Sequence, residues 1–255
     1  MPSIAGHTLL VIGGSSGIGF CVAKLALAEG ARVAIASSNA ERVTHAVERL
    51  YQSSDSENAK NVLGFTVDLK QHDIEQQLGK LFTDVKAGFG DELLDHLVFT
   101  AGDAIGYRAT KDIDLDFIQQ SGMVRFVAPL LIGKLAPQFF KCQWSTSITF
   151  TSGRVAERPL PQYTVIAAYA AGTGGVTRNL ALDLAPIRVN QVNPGSVLTE
   201  LWGPNGAERA QEVSKKTLLG KVGTPEDTAE AYIYLMKDTT ANGTIINNSG
   251  GELLR

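Results

Sequence analysis

Short, nearly continuous apolar runs alternate along the chain with longer stretches in which apolar residues recur at helical spacing. Thr8 to Ile12 (TLLVI) reads as a strand buried on both faces. Ile18 to Glu29 has helical character and stops at Gly30, a residue suited to the left-handed position that ends helices. The alternation continues with a strand over 32–36, a helix over 40–51 with Asn39 at its N-cap, a strand over 61–67, a helix over 74–87 and a strand over 93–100. A helical region runs from about 114 to 141, where Pro129 and Pro137 predict a kink or an early stop. A strand over 147–151, a helix over 164–184 and strands over 187–192 and 243–247 follow. Strand and helix alternating from end to end predict one α/β domain, a doubly wound parallel seven-stranded sheet with right-handed crossovers and helices on both faces. The polar stretch from Gln52 to Lys60 reads as a solvated loop.

Composition narrows the class. The 255 residues are 44% hydrophobic and 19% charged with a formal net charge of −3, which excludes disorder and leaves no basic footprint for nucleic acid. No apolar run approaches the length of a membrane span, and the first residues carry no basic stretch ahead of an apolar core, so neither a membrane nor a secretory signal is expected. Cys21 and Cys142 make no disulfide framework, and each reads as a small core residue in a chain of the reducing cytoplasm.

The first strand runs into Gly13-Gly14-Ser15-Ser16-Gly17-Ile18-Gly19 and then a helix. Glycines there permit positive φ and close backbone approach, and the helix N-terminus offers free N–H groups and a positive dipole end to a pyrophosphate. Such a turn can be a plain tight βα connection; after the first strand and at this spacing it reads as the phosphate turn of a Rossmann-type dinucleotide site, with Gly13, Ser15, Ser16, Gly17, Ile18 and Gly19 as its candidate residues. The second strand ends at Ser37-Ser38-Asn39 with Arg42 one turn on. No carboxylate stands there to repel a 2′-phosphate, and hydroxyls, an amide and a guanidinium can hold one, so NADP(H) is favoured over NAD. Ser38 and Asn39 also suit helix capping, and both roles can hold together.

The G-x-x-x-G-x-G spacing, Asp68-Leu69 after the third strand, Thr100-Ala101-Gly102, Pro194-Gly195 with Thr199, Gly223-Thr224-Pro225-Glu226-Asp227 and Ser249-Gly250-Gly251 occur in this order. The chain resembles a short-chain dehydrogenase/reductase over nearly its whole length. The resemblance implies adenine contacts at Asp68 and Leu69, a cofactor wall at Ala101 and Gly102, and nicotinamide contacts at Pro194, Gly195, Val197 and Thr199. It also implies a homotetramer, with a dimer as the alternative. The helix over 164–184 is rich in alanine and glycine, and its glycines point to close helix–helix approach, which the resemblance implies is at a subunit interface.

The catalytic pattern of that family is Ser, Tyr and Lys with an Asn on the preceding long helix. Ser152 fits the Ser, but the register places Ile166 at the Tyr position, Ala170 at the Lys position and Arg125 at the Asn position. Tyr163 and Tyr169 lie three residues either side of Ile166, as rescuing phenols or as packing residues, and neither has a lysine one turn on. Arg125 has three readings: holding an anion, polarising a carbonyl, or a salt bridge at a subunit contact. Pro159 to Tyr163 carries no carboxylate for a substrate cation, though Glu157 is near. The segment 196–220, with Trp202, reads as a substrate lid.

This altered set resembles a subgroup of fungal short-chain reductases of alkaloid biosynthesis, some of which assist a cyclisation. The implied function is NADPH-dependent reduction of an iminium or an activated double bond in a small apolar substrate of specialised metabolism, coupled in some relatives to a cycloaddition. The alternatives are a non-redox isomerase or pericyclase with a structural dinucleotide, a dinucleotide-sensing regulator, and carbonyl reduction through Tyr163 or Tyr169.

Overall fold

The computed structural model describes residues 2–53, 62–103, 106–215 and 217–254. Most of the expected loop over 52–60, and the first residue of the expected strand over 61–67, lie outside them. Seven parallel strands form one sheet in the order β3-β2-β1-β4-β5-β6-β7. They are β1 (Thr8–Ile12), β2 (Arg32–Ser37), β3 (Val62–Thr66), β4 (His96–Phe99), β5 (Ser147–Thr151), β6 (Arg188–Pro194) and β7 (Ile245–Asn248). Strand order reverses between β1 and β4, the crevice where open α/β sheets bind ligands beyond their carboxyl ends.

The central strands β1, β2 and β4 are buried on both faces because they are largely apolar at successive positions, whereas β3 and β7 at the sheet edges are partly exposed. Leu10 and Ile12 of β1 pack into one core with α3 (Ile74–Gly88) and α5 (Ala128–Phe139). Leu9 and Val11 pack into the opposite core with α1 (Gly17–Ala28), α2 (Ala40–Ser53) and α8 (Pro225–Lys237). Helix α8 is absent from the periodicity reading. Its start signal is nonetheless local: the Thr224 hydroxyl accepts the Asp227 N–H at 3.0 Å and Pro225 opens the first turn.

The helical region over 114–141 divides into α4 (Leu115–Gly122), a π-helical turn (Met123–Val127) and α5. The break precedes Pro129, which is accommodated in the first turn of α5, while Pro137 lies inside α5. Strand β4 is shorter than the apolar run predicted, with Leu94 making only an isolated bridge to Phe140. Helix α6 (Thr164–Asp183) keeps its expected span. Its glycines serve this chain first: a Cβ on Gly172 would press on Phe126 and one on Gly174 on Ile245, while Gly175 faces open space. Cys21 is buried, but Cys142 is exposed on the connection after α5, which corrects its reading as a core residue.

Two polar clusters fix the amino-end half of the sheet. Arg188 at the start of β6 is 3% exposed and donates to the carbonyls of Trp144, Ser145, Leu235, Met236, Asp238 and Ala241 at 2.8–3.4 Å. It thereby ties the carboxyl end of α8 to β6. Beside it, His96 Nδ1 pairs with Ser147 Oγ at 2.8 Å and its Nε2 with His7 Nδ1 at 3.0 Å. Burial drives the His96 pKa down to about 3, with the His7 charge adding to the effect.

Candidate functional site

A cleft of about 720 Å³ opens over the carboxyl ends of the strands. At its centre the turn after β1 takes the backbone that glycine permits, with Gly13 at φ +96° and Gly17 at φ +53°. A Cβ on Gly13 would stand 2.5 Å from the Ala101 nitrogen, and one on Gly19 would stand 2.4 Å from the Gly13 oxygen. The glycines therefore let α1 seat its N-terminus directly against β1 and the end of β4. No side chain caps that terminus and no acidic residue lies in its first turn, so its N–H groups and dipole face the cleft. This cradle fits a pyrophosphate. One carboxylate lies near it: Glu200 Oε2 would be 3.5 Å from a Cβ on Gly17.

All the residues expected in the turn (Gly13, Ser15, Ser16, Gly17, Ile18 and Gly19) line the cleft, as do Ser37, Ser38 and Arg42 at the end of β2. Asn39 does not. Its Oδ1 accepts the Arg42 N–H at 2.8 Å, so of its two expected roles it performs the capping one. Asp68 and Leu69 also line the cleft. Asp68 accepts from Gln71 Nε2 at 2.8 Å and from the Lys70 N–H at 3.1 Å, and these bonds hold its carboxyl below the ordinary value. Lys70 joins this end of the cleft and was not anticipated. With Arg42 it supplies two cations where a 2′-phosphate is expected.

Across the cleft, Ala101 and Gly102 follow β4, and the guanidinium of Arg125 lies on Gly102, where a Cβ would meet both terminal nitrogens at 2.9 Å. Arg125 reaches this point from the π-helical turn. Its Nη2 donates to the Asp103 carbonyl, and its Nε stands 3.3 Å from Asp103 Oδ1, off the line of a hydrogen bond. Burial lowers the Arg125 pKa and the Asp103 charge opposes that shift. Arg125 is thus a wall of the cleft, balanced by a carboxylate of its own chain.

The reaction end is poor in proton donors. Ile166 is 6% exposed and lines the cleft where the register expects a catalytic phenol. Ser152 also lines it, with its hydroxyl donated to the Ala170 carbonyl at 2.9 Å. Among the described lining residues Tyr163 is the one phenol and Lys70, beyond β3, the one amine. Tyr163 stacks on the exposed Tyr107, centroids 5.9 Å apart and planes 4° from parallel. Tyr169 turns away: its hydroxyl donates to the Ile118 carbonyl at 3.0 Å and its ring packs on Phe126. That corrects its place among the catalytic candidates to a packing role. Glu157 is likewise committed, accepting from Asn247 Nδ2 at 2.9 Å.

Pro194, Gly195, Val197 and Thr199 line the remaining wall. The segment after them carries a helical turn (Glu200–Trp202) and α7 (Gly206–Ser214), with the Arg209 guanidinium 5.2 Å from the Trp202 ring centre. Behind this wall lies Glu252, 5% exposed, which pairs with Arg154 Nε at 2.8 Å and accepts from Ser196. Neither Arg154 nor Glu252 was anticipated, because nothing in local spacing joins them.

The family model of the SDR-like Rossmann domain matches residues 2–255. A short-chain dehydrogenase/reductase of Stachybotrys chlorohalonatus is 45% identical, covering all of both chains. Another, from Malbranchea aurantiaca, is 38% identical over 99% of this chain and 96% of its own. Among solved structures, the MalC reductase/Diels-Alderase from Malbranchea aurantiaca superposes with a TM-score of 0.92 at 37% identity, covering 99% of this chain and 98% of that one. A short-chain dehydrogenase from Burkholderia cenocepacia in complex with NADP superposes with a TM-score of 0.84 at 27% identity, covering 98% and 99%.

Proposed function

Because the chain belongs to the short-chain dehydrogenase/reductase family, we propose that it is an NADP(H)-dependent oxidoreductase of specialised metabolism that reduces an iminium or an activated C=C bond in an apolar substrate. The observation that carries this reading is Ile166 at the wall of the cleft with Ala170 one turn on, where an acid–amine pair would serve carbonyl reduction. Bound NADPH would supply a hydride; an iminium is neutralised by it, an activated C=C bond becomes a stabilised carbanion that takes its proton from water, and a ketone becomes an alkoxide, a far stronger base that calls for a positioned acid.

The chain's own residues support the reading. Ser37, Ser38, Arg42 and Lys70 would hold the 2′-phosphate end, and the turn from Gly13 to Gly19 the pyrophosphate. Val197 and Thr199 would hold the nicotinamide end. Asp103 offsets the charge of Arg125, so the pocket does not oppose a cationic acceptor as an unpaired arginine would. Leu160, Tyr163, Leu201 and Trp202 offer apolar surface to the substrate, and the segment 196–220 would cover it as a lid. The solved relative named a reductase/Diels-Alderase supports a coupled cyclisation in the same pocket. A homotetramer in the cytoplasm completes the proposal, and sedimentation of the purified chain reads the assembly.

The test is a paired assay following NADPH absorbance with a cyclic iminium and a ketone of matched shape. The iminium is expected to consume cofactor and the ketone to be inert. Ketone reduction that Tyr163→Phe abolishes would overturn the proposal in favour of carbonyl chemistry. Conversion of substrate with oxidised cofactor alone would favour the non-redox reading.

A further inference from the structure

We infer that Glu252 is a positioning residue that fixes the nicotinamide-side wall of the cleft from behind. The inference rests on the NADP(H) reading above. The Glu252 carboxylate is buried and does not itself line the cleft. Its Oε1 accepts the Ser196 main-chain N–H at 2.7 Å, and its Oε2 accepts the Ser196 hydroxyl at 3.1 Å and pairs with Arg154 Nε at 2.8 Å. Ser196 belongs to the turn that follows β6, and Arg154 to the loop that follows β5 beside Ser152. One carboxylate therefore sets the separation of two lining segments. Charge-assisted bonds shielded from water are the strong kind, and such a link holds geometry that neutral loop contacts leave loose.

The backbone is shaped for this contact. A Cβ on Gly195 would stand 2.7 Å from Glu252 Oε1 and 2.7 Å from the Ser249 Cα, so the late segment lies flush against the turn only because residue 195 is glycine. The Gly195 N–H donates to the Asn248 carbonyl at 2.9 Å and the Glu252 N–H to the Ser249 carbonyl at 3.0 Å, which bring the side chain to its place. The adenine end of the cleft, at Ser37, Arg42 and Asp68, shares none of these contacts.

Glu252→Gln is the informative change. It keeps the side chain's shape, but its amide group faces Arg154 donor to donor. Equilibrium binding is measured with NADPH and with 2′,5′-ADP, which carries the adenine half alone. The variant is expected to bind NADPH about tenfold more weakly and 2′,5′-ADP within about twofold of wild type, as loss of one charge-assisted bond predicts. Unchanged NADPH affinity, or an equal loss for both ligands, overturns the inference, since general loosening strikes both halves. Should Glu252→Gln fail to fold, Ser196→Ala is read instead. It removes one hydrogen bond, and about a threefold loss confined to NADPH supports the inference, while no loss or an equal loss overturns it. Wild type that binds neither ligand sinks the NADP(H) reading itself and this inference with it, an outcome distinct from wild type that binds both.

Discussion

Arg125 brings a partly buried guanidinium to one wall of the cleft. It lies flat on Gly102, donates to the Asp103 carbonyl and keeps its charge beside the Asp103 carboxylate. Arg125→Gln keeps a polar group but removes the charge and the planar fork. It is expected to lower turnover by about tenfold or more while leaving the NADPH dissociation constant within about twofold. Steady-state kinetics beside equilibrium binding decide it, and undiminished turnover would remove Arg125 from the reaction. The presence of arginine here was legible in the sequence, because matching the long helix to the family pattern puts residue 125 at its Asn position. Its partner was not, since no spacing rule pairs Asp103 with a residue of a later helix. Tyr169 shows the opposite limit. Sequence puts a phenol near the site, and only packing against Phe126 and Gly122 shows that its hydroxyl points elsewhere.

Among the elements, the strands with apolar residues at successive positions were the most legible, and the errors fall where tertiary contacts override local pattern. Helix α8 went unseen although Thr224 and Pro225 announce it, because its apolar positions are interrupted by the buried Thr228 and the exposed Tyr234. Strand β6 runs two residues past its predicted end because Asn193 and Pro194 still pair with β7. Arg188 shows why polar residues sit in that strand at all: its guanidinium satisfies carbonyls at the end of α8 that would otherwise be stranded. Arg188→Met leaves those acceptors buried without a donor. It is expected to cost about 3 kcal/mol and to lower the melting temperature by about 6–12 °C. An unchanged melting temperature by calorimetry would show that water replaces the guanidinium without penalty.

For the molecule as a whole, the cleft and the buried imidazole of His96 lie at opposite ends of the sheet. His96 is held neutral in the folded chain, its pKa near 3, while the unfolded imidazole takes a proton near pH 6.5. Below about pH 6.5 the unfolded state therefore binds the extra proton, and stability falls as pH drops. This group alone contributes a slope that approaches about 1.4 kcal/mol per pH unit between about pH 6 and 5, above the range where carboxylates begin to matter. Denaturant titrations across that interval are expected to show the slope in wild type and a flatter profile in His96→Asn. Equal slopes would mean that the buried imidazole is not the sensor.

The π-helical turn at Met123–Val127 has one further consequence. It holds one residue more than an α-helical coil requires, and each residue of an α-helix turns the chain by about 100°. Deleting a single residue there would rotate α4 about its axis relative to α5, with Pro129 still bending the chain where the two meet. Ile118 would swing off the Tyr169 hydroxyl, Gly122 would leave the ring it accommodates, and the guanidinium would lose its seat on Gly102. The wider π-helical turn, as well as the identity of residue 125, is thus what aims the arginine.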